Sequence, residues 1–377
     1  MSCRAFECGI PFGMHTHQVL IRLALIVQLV IITMSTSPVN AQLTPDRLYF
    51  GVGQRVVIRV DAPEQFIGEL TIKLHDPRTG VVLESAPAAK GRVDLTSLFP
   101  KIWVDKSESV VLAQLYLDST ATGSPLVLQP MVTPNRAVLV DPSTLKISED
   151  PKSTVIFEDE RNSSRFAKGE IESPDREFAF SGLRVYQEKE AVFITSAGEM
   201  VFRMRPDAAP NTAYNFMHLI EGGFYTDIIF HRVVATLSDG RPFVIQVGDP
   251  SGTGSGGPGY MIDLEKSTLP HDFGVLSMAR SLDPDTNGSQ VFVCLSKEGT
   301  SFLDGRYTAF AQAISGADVV RSIAAVPVDA NDRPLDPPMI LRAFLRDAPP
   351  ILLRDPPISS KDSVSATGEE SPAKADR

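Results

Sequence analysis

Several residues of this chain are of types that can do chemistry, and their neighbours decide which chemistry. The stretch "GTGSGGPG", Gly252–Gly259, contains G-x-G-x-x-G at Gly252, Gly254 and Gly257. Such a loop can cradle a dinucleotide's phosphates, but only after a strand and at the start of a helix. "FVIQV" before it can be the strand; "PGYMIDLE" after it does not open an apolar-periodic helix. There is no βαβ spacing and no Lys-Ser or Lys-Thr directly after a glycine as a P-loop requires, so no nucleotide is expected and a turn accounts for the glycines. His75, His218 and His271 have no ligand spacing, so no metal or other cofactor is expected. His231 and Arg232 are adjacent, and on a strand they point to opposite faces. His231 then reads as a structural or buried hydrogen-bonding residue. Taken alone, Arg232 reads as a surface strand arginine, and Cys294 as a buried small hydrophobe. No Ser-His-Asp or Cys-His constellation stands out.

These residues belong to a chain of 377 residues, 43% hydrophobic and 22% charged, long enough for two domains. Its net charge of −10 offers nothing to a nucleic acid. Residues 1–41 read as an export signal: Arg22, the apolar run "LALIVQLVIITM", then "STSPVNA". Membrane contact is expected only if that segment stays uncleaved. Cleavage would remove Cys3 and Cys8 and leave Cys294 alone, with no internal disulfide.

Residues 42–140 carry short alternating runs such as "QRVVIRV", "GELTIKL" and "SVVLAQLYL", separated by turns such as "DPRTG". Period-two runs of this kind predict an antiparallel β-sandwich. Residues 141–181 are polar and charged and read as a linker with room for one added strand. Strands resume at "AVFITSAGEMVFRM". Ala213, Phe216, Met217 and Ile220 fall at helical spacing, with Pro210 in the first turn and Gly222 at the end. A second helix is predicted at 316–325. Residues 347–377, rich in proline, serine and charge, read as a disordered tail. The chain as a whole is predicted to be mainly β.

Four motifs then follow in order: "GFYTDIIFHRVV", "FVIQVGDPSGTGSGGPGY", "GVLSMARSLDPDTNGSQVFV" and "FLDGRYTAFAQAISGADVV". Together they resemble the cyclophilin family of peptidyl-prolyl cis-trans isomerases, over residues 182–346. The resemblance implies an eight-stranded antiparallel β-barrel capped by two helices, with no cofactor and with proline-containing polypeptides as partners. It implies that Arg232 is the catalytic group. Phe243, Val244, Phe292, Leu303 and Tyr307 match the wall of a proline pocket, and Phe302 stands beside them. Gln246 and Gln290 match polar substrate contacts. Ala279 and Arg280 match a segment that runs along the residues before proline. "MAR" looks like the bacterial branch of the family, so the expected setting is a bacterial periplasm or secretion, and the expected role is folding of exported proteins.

The chemistry explains why no nucleophile is needed. Rotation about a peptide bond is opposed by a barrier of ~18–20 kcal/mol because twisting breaks amide resonance. A catalyst must hold the twisted amide better than either planar form. An arginine, always charged and a rigid multiple donor, can do so. The alternative is a binding module that grips proline segments without turnover. Three departures from the family bear on the site. "VVATLSDGRP" lengthens the connection from Arg232 to Phe243, Val247 replaces a glycine before "GDP", and Phe302 replaces a tryptophan associated with cyclosporin binding.

Overall fold

The computed structural model describes residues 41–103, 109–134, 137–140, 154–157 and 178–361. Of the expected signal segment only Ala41 falls among them, and most of the expected linker lies outside them.

The first part of the chain builds β1 (Gln42–Pro45), β2 (Tyr49–Gly51), β3 (Val57–Asp61), β4 (Leu70–His75), β5 (Val82–Pro87) and β6 (Gly91–Asp94), then a one-turn helix α1 (Leu95–Leu98). β7 (Val111–Leu117), β8 (Thr120–Pro134), β9 (Ala137–Val140), β10 (Thr154–Phe157) and β11 (Phe178–Gln187) follow. A three-stranded sheet, β1-β3-β6, and a six-stranded sheet, β2-β11-β8-β7-β4-β5, share one core around Leu43, Ile58, Ile72 and Leu115. β9 and β10 pair with each other. The six-stranded sheet takes β11 from beyond the expected sandwich, so the 181/182 boundary falls inside a strand. The reason is period-two burial: Leu183 and Val185 face the sandwich core.

The second part builds β12 (Lys189–Thr195), β13 (Gly198–Met204), helix α2 (Pro210–Glu221), β14 (Ile228–Ile229), β15 (Arg232–Thr236), β16 (Pro242–Val247), β17 (Val275–Met278) and β18 (Val291–Cys294). Helix α3 (Lys297–Thr300), β19 (Ala309–Ser315), α4 (Ala317–Ala324) and β20 (Met339–Asp347) complete it. The antiparallel ladder runs β14-β20-β12-β13-β19-β17-β18-β16-β15. β14 and β15 lie at opposite edges of that ladder, yet only Phe230 and His231 separate them in sequence. Three Cα steps reach about 11 Å at most, so the two edges must meet and the sheet must curl. Counted as one interrupted strand, β14 and β15 reduce nine ladder members to the expected eight. Phe193, Phe202, Phe216, Tyr225, Phe230 and Phe310 fill the interior.

Both predicted helices form. In α2 the buried face is Ala213, Phe216, Met217 and Ile220, with Pro210 in the first turn. Ala209 offers no side-chain cap, and the Glu265 carboxylate instead accepts from the Asn211 and Thr212 amides at 3.0 and 2.7 Å. Helix α2 packs on β12, β19 and β20, and α4 on β13, β15 and β16.

The expected disorder beyond residue 347 does not hold for residues 348–361. Ser124 donates to the Ala348 carbonyl (2.7 Å), Ile351 to the Gln114 side chain (3.2 Å) and the Ile358 amide to the Ala313 carbonyl (2.9 Å). Arg354 pairs with Glu188, which is 3% exposed. A buried carboxylate is costly without a cation, and the tail supplies one.

Candidate active site

Cross-strand register assembles the site. Arg232 on β15 lies opposite Gln246 on β16, and Gln246 lies opposite Phe292 on β18. Val234, Val244 and Cys294 form the neighbouring rung. Alternation sends Val233, Ile245 and Val247 into the barrel core and Val244 and Phe292 into a second apolar cluster on the outer face. Val247 is fully buried among core side chains, so it occupies the interior rather than distorting the site.

The lengthened β15–β16 connection leaves that register intact. It forms a hairpin closed by Leu237 N–H to the Arg241 carbonyl (2.8 Å). Arg241 also donates to the Glu298 carbonyl at 2.6 Å, tying the hairpin tip to α3.

A cavity of about 380 Å³ opens on this face. It is lined by Arg232, Phe243, Val244, Gln246, Ala279, Arg280, Phe292, Leu303 and Tyr307, all singled out in the sequence. Phe292 and Tyr307 meet edge to face, with centroids 5.8 Å apart. Phe302 does not line this cavity. It is 47% exposed and stacks on Phe243 from outside at 5.8 Å. Gln290 lines an adjoining cavity of about 790 Å³, where the glycine loop forms one wall. The Gln246 amide donates to Gln290 (2.9 Å), and Gln290 in turn donates to the Gly254 and Gly256 carbonyls (3.0 and 2.8 Å). That chain couples β16 to the loop.

The glycine loop does wrap an anion, but an internal one. The Asp249 carboxylate accepts from the Ser251 amide and hydroxyl (both 2.7 Å), the Thr253 amide (3.0 Å) and the Gly254 amide (2.6 Å). A Cβ on Gly256 would stand 2.0 Å from the same carboxylate. Burial pushes the Asp249 pKa up, but the Ser251 hydroxyl and the loop amides outweigh it and hold the group well below the usual carboxylate range. Asp249→Asn turns one acceptor into a donor facing donors. It is expected to destabilise the fold by about 1–3 kcal/mol, read as a lower midpoint in urea unfolding.

Behind Phe292 the structure assembles a constellation that sequence reading missed. Asp304 meets His271 Nδ1 at 2.8 Å, and His271 Nε2 meets Ser277 Oγ at 2.9 Å. The order is that of a hydrolase triad, but Ser277 is fully buried, His271 is 1% exposed, and neither lines a cavity described above. Burial lowers the His271 pKa and the Asp304 contact partly restores it. The His271 ring stacks under Phe292 with centroids 6.1 Å apart, so the triad props the pocket floor. Residues 27 and 33 apart along the chain carry no local signature of this contact.

His231 also lines the cavity, as do Thr253, Gly254, Asn331 and Arg333. His231 is 5% exposed, and neither ring nitrogen has a hydrogen bond of ordinary geometry, although Gln290 faces it. Its burial is that of a structural residue, with Gln290 as the polar group facing it. Burial lowers its pKa; nearby Asp249 opposes this, and Arg333 and Arg232 reinforce it. Asp332 reaches Arg232 at 3.4 Å across half-exposed side chains. Cys294 is fully buried, and burial pushes its thiol pKa far up, as suits an inert packing residue. Among the described residues no group of three His, Cys, Asp or Glu could hold a metal ion.

Comparison with known proteins gives a consistent match to this region. The family model "Cyclophilin type peptidyl-prolyl cis-trans isomerase/CLD" matches residues 191–344. "Peptidyl-prolyl cis-trans isomerase-like 1" of Emericella nidulans is 38% identical over 164 residues, covering 42% of this chain and 96% of that protein. "Peptidyl-prolyl cis-trans isomerase-like 2" of Rhizopus delemar is 40% identical over 156 residues, but this chain spans only 28% of its length. A solved Cryptosporidium parvum cyclophilin type isomerase, crystallised in the presence of the dipeptide Ala-Pro, is 32% identical. It covers 42% of this chain and 99% of its own, at a TM-score of 0.39. These relatives correct one expectation: a bacterial periplasmic or secreted setting does not fit matches to fungal and plant proteins. A single arginine after "MA" is too little to mark a bacterial branch. No helix among the described residues is long and apolar enough to cross a membrane.

Proposed function

The chain belongs to the cyclophilin family of peptidyl-prolyl cis-trans isomerases, and from that premise we propose that its barrel rotates X-Pro bonds in other polypeptides, with Arg232 as the catalytic residue. The observation that carries this reading is the Arg232 guanidinium beside an apolar wall of Phe243, Val244, Phe292, Leu303 and Tyr307 in one cavity of about 380 Å³.

Proline enters the wall formed by Phe243, Val244, Phe292, Leu303 and Tyr307. Arg232 exchanges its weak contact with Asp332 for the substrate amide. As the C–N bond twists, the prolyl nitrogen regains a lone pair and the carbonyl loses its partial double-bond partner. Arg232 donates to that lone pair, and no bond to the protein forms or breaks. Gln246, held by Gln290, limits where the flanking chain can lie. Such charge-assisted donation, stronger at the twisted geometry than at the planar one, is what lowers the barrier. The barrel is proposed to span 188–347 and the preceding sheets 42–187, the latter positioning the enzyme or its client during folding.

The test is cis-trans exchange in a short X-Pro peptide, followed by NMR line shapes, with the wild-type chain. Binding without acceleration would leave a proline-gripping module as the surviving reading. The rate is expected to be flat between about pH 6.5 and 8, because arginine keeps its proton throughout. His231 contributes no step there, since its lowered pKa leaves it neutral above the ordinary histidine value. A sigmoid rise across that window would assign the chemistry to a histidine instead.

A further inference from the structure

The chain is acidic overall, with a net charge of −10, yet the two adjoining cavities carry three arginines and no carboxylate in their walls. Arg232, Arg280 and Arg333 line them. Carboxylates around them are already engaged: Asp249 by its own loop, Asp332 by Arg232, and Asp329, beside Arg333, by the Asn331 and Arg333 amides.

The other two guanidiniums are held by neutral groups. Arg280 donates from Nε and Nη2 to the Arg306 carbonyl (3.2 and 3.0 Å) and from Nη1 to the Ser281 carbonyl (2.8 Å). Its plane lies 4.5 Å over the Tyr307 ring, itself part of the proline wall. Arg333 donates to the Gly252 carbonyl at 2.6 Å. Carbonyls fix the direction of a guanidinium without cancelling its charge. Neither arginine forms an ion pair among the described residues. Two oriented cations without an ion-pair partner among the described residues thus flank the proline wall, where a partly desolvated anion gains most.

We propose that the enzyme selects X-Pro segments bearing an anionic side chain, a carboxylate or a phosphate, within about two residues of the proline, a reach of about 7 Å. Arg280 and Arg333 are the specificity-determining residues. The inference rests on the isomerase reading and adds a substrate class to it.

The experiment uses the full chain and peptides that differ at one position before or after proline: Glu, phosphoserine, Gln, Ser or Lys. Each catalysed rate is set against that peptide's uncatalysed rate. For Glu over Gln, or phosphoserine over Ser, kcat/KM is expected to be about tenfold higher, as one charge-assisted contact allows, with Lys lowest. The two arms distinguish carboxylate from phosphate as the favoured anion. The ratio is expected to collapse towards one at about 0.5 M salt, where screening is short-ranged. Arg280→Gln and Arg333→Gln should each reduce it, every variant being referred to its own neutral-peptide rate. Equal kcat/KM for acidic and neutral peptides, or a preference that survives both substitutions, overturns the proposal. The neutral peptide's rate alone tests the isomerase reading. Should no peptide be accelerated, the same series read as a binding titration still decides the anion preference.

Discussion

Arg232→Ala is expected to lower kcat/KM on an X-Pro peptide by about 100- to 1,000-fold, the usual cost of losing one donor to the transition state. The fold should not suffer. The Arg232 side chain is 45% exposed and its ion pair with Asp332, at 3.4 Å, is long and solvated. Such a pair contributes about 0–1 kcal/mol, so the thermal midpoint is expected to stay close to that of the parent. Loss of rate with retained midpoint separates a catalytic residue from a structural one. Arg232→Lys keeps the charge but loses the planar fork, so it should recover only a small part of the rate. A variant as active as the parent would remove Arg232 from the mechanism.

The second large effect is expected at Gly299→Ala. Gly299 sits in α3, where a Cβ would stand 1.8 Å from the Pro242 carbonyl oxygen. Backbone lies on both sides of that contact, so no side chain can swing aside. Its amide also donates to Ser296 Oγ (2.9 Å), which donates to the same Pro242 carbonyl (2.9 Å). Forcing α3 away from β16 should cost at least about 1–3 kcal/mol, as overpacking does. It should also weaken activity, because the 3₁₀ turn Ser301–Leu303 follows α3 directly and carries Leu303 into the proline pocket. Urea unfolding and kcat/KM measured together check this: the midpoint and the rate are expected to fall in parallel. A variant as stable and as active as the parent would mean that α3 can shift freely.

How much of this was legible along the chain differs from element to element. Helix α2 was legible because Ala213, Phe216, Met217 and Ile220 repeat at helical spacing behind Pro210, and each of these four is buried. Nine of the eleven candidate site residues line the main cavity, because the four motifs carry them in fixed order. Phe302 and Gln290 were displaced from it by amounts a motif does not encode: one turns out to stack on Phe243, and the other to bind the glycine loop. β11 was hidden because its first residues look like linker, and its pairing with β8 is decided by a strand more than forty residues earlier. The tail after residue 347 has disordered composition, yet a buried Glu188 captures Arg354.

By itself, then, the sequence determined the mainly-β class, the two long helices, the arginine and the apolar wall around it. These follow from local periodicity and from short motifs, which read the same whatever lies across the fold. Only the tertiary structure decided that the glycine loop encloses Asp249, that Asp304, His271 and Ser277 meet behind Phe292, and that Arg333 enters the cavity beside Arg232. Each of these joins residues brought together by chain reversal or by sheet curling. Hydrogen bonds and charges act over a few ångströms of space, and sequence spacing does not record that distance.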